Sequence, residues 1–150
     1  MPKFYPALHG FKSRARAYRA TTNQAIANNI FTQVQLNAET YDGLDEFDST
    51  TNFRFTAKKA GYYAVSAAIR LSASVDQQYL IAAIWKNGAT YSNAAVITSG
   101  TSDPSAVISD IIYLDVNDYL ELYAYHTCGT GISILYGSGY TFMAIQKLSE

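Results

Sequence analysis

The sequence predicts an all-β fold of about ten short antiparallel strands packed as a sandwich or a barrel. Three observations point there. Apolar and polar residues alternate with a period of two, as along Tyr63, Val65, Ala67, Ile69 and Leu71. Clusters of Gly, Asn, Asp and Ser break the chain roughly every eight to twelve residues. Tyrosine is abundant, with 13 Tyr against 7 Phe and 1 Trp, and aromatic side chains suit a pleated, half-buried surface. No segment carries a convincing helical period, and no repeat of solenoid or propeller type is present. A chain of 150 residues is long enough to bury one core unaided.

The elements follow in order. Residues 1–13 hold two of the three prolines and little periodicity, and read as an extended arm before a domain spanning 14–150. Residues 15–20 alternate as a first strand. Residues 30–36 alternate as Ile30, Thr32, Val34 and Leu36 on one face and Phe31, Gln33 and Gln35 on the other. Residues 37–52 read as a polar, acidic connection anchored by Phe47. Residues 53–57 form a short strand, and Lys58-Lys59-Ala60-Gly61 turns the chain into the clearest strand, 62–72. Its second face is Tyr62, Ala64, Ser66, Ala68 and Arg70. A solvent face usually carries larger polar groups, so these small side chains predict a closely approaching layer, from this subunit or a neighbour. Residues 78–85 and 89–98 flank Asn87-Gly88, a strong hairpin signal because both residues tolerate positive φ. Strands at 106–114, 119–125, 132–136 and 140–148 complete the set.

Charge is nearly balanced at a formal −1, so nucleic-acid binding has no bulk electrostatic drive. No apolar run reaches the length of about 18 residues that a membrane helix needs. The start of the sequence lacks the apolar core of a signal peptide. The charges are unevenly placed, however. Lys3, Lys12, Arg14, Arg16 and Arg19 precede the first acid, and Glu39, Asp42, Asp45, Glu46 and Asp48 crowd together. The bland reading is two solvated segments. The sharper one is complementarity between subunits or with a larger assembly. Asp42, Asp45 and Asp48 are weak calcium candidates, since clustered oxygens suit a hard cation but the spacing matches no known calcium loop. No other cofactor is expected. Cys128 is the sole cysteine, in a turn after His126. His126 reads as an exposed loop-edge residue, and no base-nucleophile-orienter set is visible, so an enzyme is not expected.

Phe31-x5-Asn37, Phe55-x5-Gly61-x-Tyr63, Trp85-Lys86-Asn87-Gly88, the stretch Tyr113 to Leu122 and the stretch Gly139 to Ile145 together resemble the aromatic pattern of one superfamily. It is the jelly roll of tumour-necrosis-factor-like proteins and the globular heads of the first complement component. The resemblance covers roughly residues 15–148. Val65 and Ala67 depart from it, standing where the complement heads carry aromatics. The short, Tyr- and Asn-rich chain is most similar to bacteriophage and bacterial relatives. The resemblance implies a two-sheet jelly-roll sandwich that assembles as a homotrimer. With Leu120, Leu122 and Ala124 inward, Tyr119, Tyr123 and Tyr125 face out, and with Tyr62 and Tyr63 they are the interface candidates.

The expected function is that of a virion structural protein, a capsid decoration or cement protein made in the host cytoplasm and placed on the virion surface. Lys3, Phe4, Tyr5, Lys12, Arg14 and Arg16 would dock its arm onto a capsid or other virion protein. The alternative is the receptor- or glycan-binding tip of a fibre, with loops near Asn93, Asp103 and Thr130 as its site.

Overall fold

A computed structural model describes residues 12–149. Among the described residues there are strands and turns and no helix. One sheet has five strands: β1 (Arg14–Tyr18), β4 (Ala38–Asp42), β7 (Gly61–Arg70), β10 (Ser105–Leu114) and β13 (Phe142–Ser149). Their order is β10-β7-β13-β1-β4. The second sheet contains β5 (Phe47–Asp48), β6 (Arg54–Thr56), β8 (Tyr79–Lys86), β9 (Ala89–Ile97) and β11 (Tyr119–His126), in the order β5-β6-β11-β8-β9. A short β3 (Thr32–Gln33) also pairs β11, and β2 (Gln24–Ala25) pairs β12 (Ser133–Ile134) at one end. All pairings are antiparallel, and the chain order matches the predicted two-sheet jelly-roll sandwich.

The inward faces carry the core. Tyr63, Val65, Ala67 and Ile69 of β7 face Leu120, Leu122 and Ala124 of β11 in one buried cluster that also holds Phe55, Leu80 and Ile84. Burying each large aliphatic side chain contributes about 1.5–3 kcal/mol. Val34 and Leu36 are buried as the alternation predicts, but Ile30 is 59% exposed. The expected strand over 30–36 shrinks to two residues because Leu36 N–H turns back to the Val34 carbonyl. The acidic connection over 37–52 is also corrected. It contains β4, an edge strand on β1, and Phe47 is the buried anchor expected of it.

The two poles are set by strand direction. Ser13, the 57–60 turn, the Asn87-Gly88 hairpin and the end of β13 share the amino-terminal pole. The 71–78, 98–104 and 127–141 segments share the other. Asn87 and Gly88 have φ of 53° and 81°, the conformation that the hairpin signal demanded.

Gly61 opens β7 with φ 143°. A Cβ there would lie 2.1 Å from the Ser149 carbonyl oxygen, where β13 ends beside it. Gly61→Ala is therefore expected to destabilise the domain by about 2 kcal/mol or more. Urea unfolding measures this, and an unchanged midpoint would contradict the close approach.

Candidate assembly and binding surfaces

The outer face of the five-stranded sheet is a trough. Ala64 and Ser66 of β7 and Ala144 of β13 form its floor, while Tyr41 stands on one side and Ile111 on the other. Its volume is about 550 Å³. The trough exists because the outward side chains of β7 and β13 are small at Ala64, Ser66 and Ala144, while larger ones stand on β10, β1 and β4. Tyr62 and Tyr113 close one end as an edge-to-face pair, with ring centroids 5.2 Å apart. On β10, Val107 is 62% and Ile111 60% exposed. Their neighbours Ala106, Ile108 and Ile112 are buried, so β10 is apolar on both faces. That double-sided pattern is a sequence signal of a second layer that the reading of β7 caught and the reading of β10 missed. The lining offers Ser66, Ser109 and Asp110 but no histidine or cysteine. Asp110 accepts a hydrogen bond from the Ile111 amide at 2.7 Å. The trough is suited to packing rather than to proton transfer.

The interface tyrosines do not share one surface. Tyr62 lies at the trough, 48% exposed. Tyr63 is corrected: it is fully buried in the core. Its ring meets Phe55 edge-on at 5.6 Å, and its hydroxyl donates to the Lys59 carbonyl at 2.7 Å. Period-two geometry puts consecutive residues on opposite faces, so Tyr62 and Tyr63 had to part.

Tyr119, Tyr123 and Tyr125 face outward, but from the six-stranded sheet. There they are held by their own subunit. Tyr123 stacks on Trp85 with centroids 3.9 Å apart and an interplanar angle of 13°. Phe31 adds contacts to Tyr125 at 5.1 Å and Trp85 at 5.9 Å. The Arg54 guanidinium lies 4.1 Å from the Tyr119 ring centroid, and Tyr125 donates to Asn29 Oδ1 at 3.3 Å. Glu121, between them, is nearly buried and accepts from Gln33 Nε2 at 2.9 Å. Burial raises the Glu121 carboxyl pKa, opposed by Arg54. Burial, then the charge of Glu121, raises the Tyr123 phenol. Trp85 and Tyr123 each cover one ring face of the other. Phe31, just before β3, and Trp85 of β8 are far apart in sequence and meet only across β11 in the folded sheet.

Of the docking-arm residues, Lys3, Phe4 and Tyr5 lie outside the described residues. Lys12 is exposed just before β1. Arg14 and Arg16 belong to β1 rather than to an extended segment. Arg14 sits over the Tyr41 ring at 5.6 Å. Arg16 sits over Phe142 at 4.4 Å and donates to Thr40 at 3.1 Å and to the Ser138 carbonyl at 2.6 Å. Both cations therefore edge the trough while anchored within the sheet.

The acidic residues build turns. Asp48 accepts from the amides of Thr50, Thr51 and Asn52 at 3.0, 2.9 and 3.0 Å. Those amides, the Thr51 one foremost, hold its carboxyl well below the usual range. Asp42 accepts from Leu44 and Phe47 amides, and Asp45 sits at φ 57° in the turn between them. Of the proposed glycan loops, Asp103 and Thr130 share the far pole, while Asn93 is in the middle of β9. His126 is also corrected: it is fully buried, and Cys128 is 5% exposed.

No protein-family model and no curated protein matches this sequence. Solved structures do. A tumour necrosis factor, Eiger, from S. frugiperda superimposes with TM-score 0.71 at 14% identity, covering 93% of this chain and 94% of that one. The globular domain of zebrafish complement 1qA gives 0.68 at 14% identity, covering 93% and 99%. Murine APRIL gives 0.65 at 11% identity, covering 91% and 98%. The fold is the tumour-necrosis-factor-like jelly roll. At these identities the likeness is one of fold, and it agrees with the resemblance drawn from the aromatic spacings.

Within this jelly roll, Asp48→Ala removes an acceptor shared by three amides. Loss of such a cap is expected to lower stability by about 1 kcal/mol. A depressed carboxylate stabilises above its unfolded pKa and loses that contribution as pH falls toward its folded value. The difference from the parent should therefore begin to shrink below about pH 4 and narrow steadily with further acid. Thermal melts of both proteins across acid pH check this. A constant difference would remove the carboxylate from the account.

Proposed function

We propose that this protein is a non-enzymatic homotrimeric assembly module serving as a capsid decoration protein on the virion surface. The trough carries the reading. An exposed floor of Ala64, Ser66 and Ala144, bordered by Tyr41, Ile111 and Val107, has the form of an interior surface left open on an isolated subunit. Burying it against the edge of a second copy, where Tyr91 and Ile97 are 51% and 66% exposed, gives a head-to-tail contact. Such a contact closes into a ring when its rotation permits, and three copies are the closure proposed here. The described chain begins at the amino-terminal pole, beside Glu46. Three arms leaving from equivalent poles would present Lys3, Phe4, Tyr5 and Lys12 together to an acidic particle surface.

A second reading is favoured by the opposite pole. There Tyr136 and Tyr140 are 50% and 48% exposed near the segments holding Asp103 and Thr130. Exposed rings beside polar loops suit a glycan, as at the tip of a fibre. The readings separate by deletion. Without residues 1–11 a decoration protein remains a trimer but loses its particle, whereas a glycan-binding tip keeps its ligand.

The solution mass tests assembly directly. Light scattering is expected to give the mass of three chains, with calcium or with a chelator. Ser66→Arg places a charge on the exposed trough floor, which the isolated fold tolerates, and should yield folded monomer. A trimer that survives this substitution would place the interface elsewhere. A monomeric parent protein would end the proposal.

A further inference from the structure

We propose that His126 is an acid-released latch on the 127–132 loop at the far pole. The ring is fully buried at the end of β11. Its Nδ1 accepts from the Cys128 amide at 3.2 Å, and its Nε2 lies 3.3 Å from the Ile26 carbonyl. A carbonyl can only accept, and Nδ1 is already an acceptor. The proton therefore sits on Nε2, and the ring is neutral. A second proton must go to Nδ1. There it removes the acceptor for Cys128 and sets one N–H against another.

The latch holds two segments together. Asn29 N–H donates to the His126 carbonyl at 2.9 Å, and Gly129 N–H donates to Asn28 Oδ1 at 2.9 Å. Cys128 and Ile132 are tucked under the loop, 5% and 7% exposed. The loop also has room to leave. Gly129 and Gly131 have φ of 87° and 78°, and nothing lies within 4 Å of where their side chains would be.

The surroundings offer the charged ring no counter-ion. Leu80 is its partner across the β8–β11 pairing. Ile26, Asn28 and Asn29 flank it from the 26–29 segment, and Cys128, a thiol, is the titratable neighbour in its own turn. Among the described residues no carboxylate is hydrogen-bonded or ion-paired to the ring. Burial pushes the imidazole below its ordinary value, with the Ile26 carbonyl opposing. For a base shifted in this direction the closed form is fully stable above the unfolded value and weakens as pH falls through it. Acid then uncovers Cys128 and Ile132 and reshapes the pole that carries Thr130. This holds whatever partner the pole meets.

Amide hydrogen exchange and imidazole resonances of the full-length protein test the latch, followed by NMR from about pH 7.5 to about pH 5. Protection of the Cys128 and Gly129 amides, corrected for intrinsic exchange, should fall about tenfold per pH unit below about 6.5. The amides of β7 and β13 should hold theirs. His126→Gln keeps a neutral donor and acceptor and should make the profile flat. A flat profile in the parent protein overturns the latch. So does a fall shared by β7 and β13, which would mean global unfolding, or a pH dependence that persists in the Gln variant. Should that variant not fold, the parent's ring decides: it must gain its charge in the window where Gly129 loses protection, and a ring neutral throughout overturns the proposal.

Discussion

Strand β7 is bonded along both edges, to β10 over ten residue pairs and to β13 over most of its length. Its backbone is therefore satisfied without help from side chains. Its faces are then free to differ. The inner face is large and apolar, and it sets the depth of the core against β11. The outer face is small, and it makes the trough. A strand that were large on both faces would fill the trough and leave no seat for a neighbour. One that were charged on its outer face would make an ordinary solvent surface. The proposed assembly thus depends on β7 being held by its neighbours' backbones.

The amino-terminal pole is tied down by a buried polar network rather than by apolar packing. The Ser13 hydroxyl donates to the Glu46 carboxylate and lies 3.0 Å from the Tyr63 hydroxyl. Glu46, 4% exposed, also accepts from the Lys58 amide at 2.9 Å. A buried carboxylate is costly unless its oxygens are matched. These donors come from the residue before β1 and from the 57–60 turn, so matching them ties both segments to the one that leads into β5.

Most of the strand plan was legible because two-residue alternation and turn chemistry are local. Asn87-Gly88 and Gly61 announce conformations that few other residues adopt. Alternation also assigned the inner face of β7 and of β11 correctly. What was not legible depended on long-range pairing. The acids at 39–48 look solvated one by one, yet Asp42 and Asp48 are bonded to amides that only the folded turns present. The same alternation puts Tyr63 inside with Val65 and Ala67, so its place beside Tyr62 among the interface candidates runs against the strand period. What the spacing does not reveal is the Lys59 carbonyl that accepts from its hydroxyl. His126 looked like a loop edge, and its burial comes from the 26–29 segment folding over it from a hundred residues away.

The two ends of the sandwich are built on different physics, and this bears on how it could work. At the amino-terminal pole a buried carboxylate is matched by fixed donors. At the far pole a histidine is neutral because nothing nearby would balance its charge. Mild acid attacks the second, where a proton added to the ring removes the acceptor for the Cys128 amide. An assembly built on the trough and anchored by the amino-terminal pole would keep its subunits together while its far pole changed shape. Separation of this kind needs no hinge between domains. It follows from placing a matched carboxylate and an uncompensated histidine at opposite ends of strands that run the length of the molecule.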